Sequence, residues 1–133
     1  ADSAVSKALL DFNLSLKEFT AAPRFSEEGV PVGHSWVIEV SGNAIISDVS
    51  VEGVSNALDL ELKKSNSDYS VKRECDFILG KPEVIFVKEG SFEVWLKNKN
   101  KLGGQHKIPR LSNSRDILED VLRVIPNRYT MLG

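Results

Sequence analysis

The sequence predicts an α+β domain: a small mixed or antiparallel sheet of three to four strands packed against helices as a single layer pair. Three observations carry this. Apolar residues recur at helical spacing in four segments, they alternate or cluster in three short extended segments, and the order of the two kinds shows no repeating strand–helix–strand rhythm. With 133 residues, the chain fits a single domain over 1–133 that can bury one core without disulfide or metal staples.

Val5, Leu9 and Phe12 stand at i, i+4 and i+7, which predicts a short amphipathic helix over Ser3 to Phe12. Leu14 to Ala22 has extended character and is closed by Pro23. Leu14 and Leu16 share one parity while Phe19 and Ala21 share the other, so a bulge or burial on both faces is expected. Arg24 to Gly33 holds Glu27, Glu28, Gly29 and Pro31 and reads as an exposed, turn-rich connection. Trp36, Ile38 and Val40 alternate with Val37 and Glu39, the pattern of a half-buried strand, antiparallel to its predecessor because the connection is short.

A longer helix follows over Asp48 to Lys64, with Val51, Val54, Leu58 and Leu62 on its stripe and Ser47 or Asp48 at its cap. Gly53 inside it costs about 1 kcal/mol relative to Ala. Ser65 to Asp68 ends it with residues whose side chains bond their own backbone, and Tyr69 to Leu79 fits no single pattern. Val84 to Val87 is apolar on both faces and is the candidate central strand. Gly90 and Ser91 open a helix with Phe92, Trp95 and Leu96 on one face, ending near Asn98, and Lys99 to Leu111 carries too many turn residues for regular structure. The last helix runs from Ser114 to Val124, with Asn113 and Asp116 as its cap pair and Pro126 as its stop. Trp36 and Trp95 are assigned to the core.

Composition excludes several classes. The 17 basic and 19 acidic residues leave a net charge of −2, against a polyanion-coating protein, and the longest apolar run, Val84 to Val87, spans no membrane. One cysteine, Cys75, excludes an internal disulfide framework. With no basic-then-apolar leader after Ala1-Asp2-Ser3, a cytoplasmic location is expected. His34, Cys75 and His106 lack the close pairing of a structural zinc site, so no metal is expected. Cys75, between Glu74 and Asp76, reads as an inert thiol, Glu27 and Glu28 as a solvated pair, and no Gly-x-Ser-x-Gly elbow occurs.

Charge distribution says more. Val94 to Arg115 has no acidic residue yet holds Lys97, Lys99, Lys101, Lys107, Arg110 and Arg115, six positive charges in 22 residues. Within it, Gly103 and Gly104 free the backbone to approach another surface, and Pro109 stiffens the Lys107-Ile-Pro-Arg110 turn. Glycines beside a lysine supply bare N–H donors and a mobile point charge, as a phosphate or carboxylate site requires. The Walker A spacing is absent, and a plain basic surface loop is the alternative.

The run Leu102-Gly-Gly-Gln-His-Lys-Ile-Pro-Arg-Leu-Ser-Asn-Ser-Arg115 resembles the C-terminal signature of the auxin-responsive acyl-acid amido synthetases, in their bacterial branch. Leu16 to Pro23, Gly33 to Glu39, Asn66 to Tyr69 with Lys72 and Arg73, and Gly90 to Leu96 agree in the same order, over roughly residues 14 to 122. The resemblance implies an ATP-dependent ligase that adenylates a carboxylic acid and passes it to an amino acid amine. Its large N-terminal adenylation domain holds ATP, Mg2+ and the acyl pocket, and a small C-terminal domain acts as a mobile lid. This chain resembles the lid alone, which implies no cofactor and no turnover for it in isolation. By position, Lys107 would be the catalytic lysine that meets the α-phosphate and acyl carboxylate. Gly103 and Gly104 would let the loop approach, Gln105 would help hold it, and Arg110 would anchor it or pair with phosphate. The implied partners are the N-terminal domain of the same chain and the acid and amino acid substrates. The alternative is a stand-alone phosphate- or nucleic-acid-binding or protein-interaction module without catalysis. The acidic pI of about 5.7 counts against a nucleic-acid partner.

Overall fold

The alternation of the apolar strands sorts their side chains onto two faces, and the fold covers both. A computed structural model describes residues 2–42, 46, 48–74, 78–101, 107–124 and 128–130, with the backbone alone for 48, 49, 100, 101 and 128–130. The elements are α1 (Asp2–Leu10), β1 (Leu16–Phe25), β2 (Pro31–Val40), α2 (Asp48–Ser65), α3 (Ser67–Glu74), β3 (Glu83–Val87), α4 (Ser91–Lys101), α5 (Asp116–Val124) and β4 (Arg128–Thr130). The sheet order is β1-β2-β3-β4, with β1–β2 and β3–β4 antiparallel and β2–β3 parallel. This is the expected small α+β domain with a mixed sheet.

Phe19, Ala21, Trp36, Ile38, Val84 and Phe86 pack with Val5 and Leu9 of α1 and Val54 and Leu58 of α2. On the opposite face Ala22, Val37, Ile85 and Val87 pack with Phe92 and Trp95 of α4 and Leu118 and Val121 of α5. The sheet therefore meets helices on both sides, which is why β2 is buried throughout its second half rather than half-buried as its alternation predicts. Trp36 and Trp95, 3% and 0% exposed, lie in opposite cores.

β1 carries the expected bulge, a register shift between Leu16 and Glu18, and runs on through Pro23. Pro23 is tolerated because β1 is the edge strand: the Ala21 N–H points away from β2, and Pro23, two residues on, faces the same way and forfeits no ladder bond. The connection read over Arg24 to Gly33 shortens to 26–30, because both strands extend into it.

The parallel β2–β3 pairing requires a crossover, supplied by α2 and α3, so a single strand–helix–strand unit exists that the pattern did not reveal. Tyr69 to Glu74, unassigned by pattern, is helical because Asn66 caps it: its Oδ1 accepts the Tyr69 N–H at 3.1 Å. Gly53 is also explained. A Cβ there would lie 2.4 Å from Phe12 Cζ, so the missing side chain is what lets α2 seat against the ring that follows α1. At the other end, α5 begins at Asp116 without the Asn113 cap. Instead the Arg115 carbonyl accepts the Glu119 N–H at 2.8 Å.

Three buried groups hold the crossover. Asp59 accepts Arg73 Nε and Nη2 at 2.8 and 3.0 Å and the Tyr69 hydroxyl at 2.5 Å, while Arg73 Nη1 reaches the Leu79 carbonyl at 2.9 Å. Burial pushes the Asp59 pKa upward, but the hydrogen bonds from Arg73 and Tyr69 and the charges of Arg73 and Lys63 outweigh it and hold the carboxyl below its ordinary value. Burial first, then the Asp59 bond, raises the Tyr69 pKa.

Two outcomes follow. Because the folded Asp59 pKa lies below the unfolded one, near 3.9, its stabilisation is complete above that value and is lost as pH falls through the folded pKa. Chemical denaturation should show Asp59→Asn less stable than the unmutated chain by about 3 kcal/mol at neutral pH, with the gap closing in acid. A double-mutant cycle should show Gly53→Ala stabilising by about 1 kcal/mol only when Phe12 is already Ala. A gain with Phe12 intact would mean that the ring yields without cost.

Candidate functional site

The segment after the glycine-lysine run is laid along the outer edge of β1. Ala21 donates its N–H to the Arg110 carbonyl at 2.8 Å and accepts from the Ser112 N–H at 3.1 Å, so Leu111 forms a one-residue parallel bridge with Ala21. One step back, the Thr20 hydroxyl donates to the Pro109 carbonyl at 2.7 Å. Ile108 is 2% exposed and packs in the core between the sheet and α4–α5, whereas Lys107 beside it is exposed. The turn is stiff by sequence, as Pro109 demands, and pinned by structure on its C-terminal side. Gly103, Gly104 and Gln105 lie outside the described residues, as do His106 and Cys75.

Arg110 is engaged by its own fold. Nε donates to Glu18 Oε1 at 3.0 Å, Nη1 pairs with Asp2 of α1, and the guanidinium carbon stands 5.4 Å over the Phe19 ring. One side chain thus ties the loop to β1 and to the first helix. This geometry makes Arg110 a tether. Lys107 and Arg110 share one loop but not one environment.

The basic run is acid-free in sequence but not in space. Lys97 pairs with Glu93 at 3.5 Å, Lys99 with Asp120 at 2.8 Å, Arg110 with Glu18 and Asp2, and Arg115 with Glu119 at 3.1 Å. Asp120 also accepts Trp95 Nε1 at 2.7 Å and pairs with Arg123, closing one side of an open cleft between α4 and α5 that Lys99, Ile117 and Glu119 help to line. Lys99 lies 5.8 Å over the Trp95 ring. Lys97, Lys99, Arg110 and Arg115 thus have acidic partners among the described side chains, which removes much of the field a polyanion would read.

Sequence reasoning missed the residues that hold the loop. Glu18, Thr20 and Ala21 are roughly ninety residues from their partners, as their bonds to Arg110 and Pro109 record. One signal was present: Thr20 is a polar residue in an otherwise apolar stretch from Phe19 to Ala22, and it is 0% exposed. A buried hydroxyl needs a partner.

No described group of three or more His, Cys, Asp or Glu side chains stands ready to hold a metal ion, and no described helix is long and apolar enough to cross a membrane. Thr20→Val, which keeps the shape of the side chain and removes its proton, should cost about 1 kcal/mol and speed hydrogen exchange at the Ala21 and Ser112 amides about fivefold. Unchanged protection would show that the bridge holds without the hydroxyl.

The fold has counterparts among solved structures. The GH3.15 acyl acid amido synthetase structure superposes with a TM-score of 0.72 at 20% identity, covering 98% of this chain and 24% of that one. The structure titled AtGH3.15 acyl acid amido synthetase in complex with 2,4-DB gives 0.69, again at 20% identity, with the same 98% and 24% coverage. At that identity the likeness is one of fold, and this chain spans about a quarter of their length. No curated protein matches in sequence. The sequence profile of the GH3 family C-terminal domain matches residues 1–116, and the chain belongs to that family.

Proposed function

We propose that this chain is the mobile C-terminal lid of an ATP-dependent acyl-acid amido synthetase and that Lys107 is the side chain it brings to the active site. The observation that supports this most is the placement of Lys107: an exposed cation one residue before the buried Ile108, on a turn whose next residues are fixed to β1. A group positioned in this way can be carried into another domain's cleft by rigid rotation, without reordering its own loop. Coverage of 24% of the neighbouring structures leaves room for a large N-terminal domain as partner in the same chain, and we place the whole in the cytoplasm.

When bound, ATP supplies the adenylyl group, with magnesium held by the N-terminal domain. Attack of the substrate carboxylate on the α-phosphorus builds charge on the phosphoryl oxygens as pyrophosphate leaves. The Lys107 ammonium would stabilise that charge where it develops. Gly103 and Gly104 would allow close approach of the backbone, and Gln105 would help to hold the loop. Arg110, already paired with Glu18 and Asp2, would serve as anchor. The lid would then turn away, an amino acid amine would attack the acyl carbonyl, and the amide would form with loss of AMP.

In the synthetase that carries this domain, Lys107→Ala should lower ATP–pyrophosphate exchange by about 100- to 1,000-fold. The 133-residue chain alone should show no exchange. Exchange at the unmutated rate in Lys107→Ala would remove the lysine from the reaction.

A further inference from the structure

Lys107 rides on a turn held by residues far from it in sequence, and one of them is aimed there by an irregularity in the sheet. In β1, Leu16 pairs with Val40 and Glu18 with Glu39, so Lys17 is an extra residue and the strand bulges. A regular strand would place Leu16, Glu18, Thr20 and Ala22 on one face. Instead Leu16 packs against the core beneath α1 and α2, whereas Ala22 packs on the opposite face, in the core that also takes Ile108. The bulge therefore moves Glu18 off the face that Leu16 occupies and onto the side of the lysine turn.

There the carboxylate is fixed twice. Glu18 Oε1 accepts the Phe19 N–H at 3.0 Å and Arg110 Nε at 3.0 Å. The first bond pins the carboxylate to its own strand, so it acts as an anchor and does not follow the loop. Asp2 also takes Arg110, but its side chain is 60% exposed against 28% for Glu18, and solvent screens the more open pair. Between Arg110 and Lys107 stand only Pro109, whose φ is fixed and whose carbonyl takes the Thr20 hydroxyl at 2.7 Å, and the buried Ile108. A displacement at Arg110 reaches Lys107 with no flexible residue to absorb it.

We propose that Glu18 is a positioning residue for Lys107, acting through Arg110, and that the β1 bulge is what aims it. This role rests on the reading of Lys107 as the cation delivered to the adenylation site. Such a cation must stand where charge develops, and a misplacement of about 1 Å can cost about 100-fold in rate. Glu18 touches no substrate. It acts on turnover and leaves ATP binding unchanged, because the contact it governs strengthens only in the transition state.

The test is a double-mutant cycle in the synthetase that carries this domain, read as ATP–pyrophosphate exchange. Amide order parameters from NMR relaxation of the 133-residue chain give a second readout. Glu18→Ala should lower kcat about tenfold with the ATP KM within about twofold, and Glu18→Gln, which keeps an acceptor oxygen, should bring kcat back to within about threefold. In a Lys107→Ala background, Glu18→Ala should change the rate by less than about twofold, because the group it positions is gone. In the 133-residue chain, Glu18→Ala should lower the order parameter of the Lys107 amide and Glu18→Gln should not. An equal loss of exchange with and without Lys107 would make Glu18 a general stabiliser of the fold and overturn the assignment. So would an unchanged order parameter, or full exchange in Glu18→Ala where Lys107→Ala is impaired. Full exchange in Lys107→Ala would overturn the underlying lysine reading and this role with it.

Discussion

The carboxylate of Glu39 is the joint on which the rest of the molecule turns. It lies near the end of β2, 2% exposed, and both oxygens are spent on the first turn of α4: Gly90 N–H to Oε2 and Phe92 N–H to Oε1, each at 2.9 Å. A carboxylate in the core is tolerable only when it is paired with donors, and the N-terminus of a helix supplies bare N–H groups and a favourable dipole end. Each such bond contributes about 1.5–3 kcal/mol. The adjoining loop is fixed from the other side, where Glu89 binds Lys17 at 3.2 Å and accepts the Gly42 N–H at 3.0 Å. The entry angle of α4 is thereby set, and with it the direction in which the basic run leaves the sheet.

The same device recurs at the other joints. Asp59 locks α2 to α3 through Arg73 and Tyr69, and Glu18 locks the lysine loop to β1 through Arg110. In each case the apolar stripes supply the bulk of the packing, and a carboxylate from one element fixes the angle at which another meets it. Hydrophobic burial is non-directional, so two helices could slide on this sheet at little cost without such fixed points. That division of labour suits a domain whose proposed work is to carry one cation to a place outside itself.

Where the pattern was local, the sequence was legible. The stripe of α2, the antiparallel β1–β2 pair, the bulge in β1 and the burial of both tryptophans all follow from spacing within ten or twenty residues. What escaped it was set at a distance. Nothing near Glu39 announces a helix cap fifty residues away, and alternation cannot tell a strand with one covered face from one with two. β4 pairs through only three residues beyond Pro126, too few for a pattern. The candidate site divides the same way: the Lys107-Ile-Pro-Arg110 turn is visible in the chain, whereas the acids that neutralise Arg110 and Lys99 come from α1, β1 and α5.

The single bridge between Ala21 and Leu111 has a consequence for how the protein behaves among copies of itself. β1 is otherwise the edge of the sheet among the described strands, the kind of template that recruits strands from other molecules. The lysine loop occupies that template. Under the proposed lid role, a loop that swung away wholesale would uncover that edge, so the movement is best carried by the domain as a body while the loop stays in place. The contacts that hold the loop to β1 are then also those that cover its edge, and changes that loosen them would be expected to erode solubility.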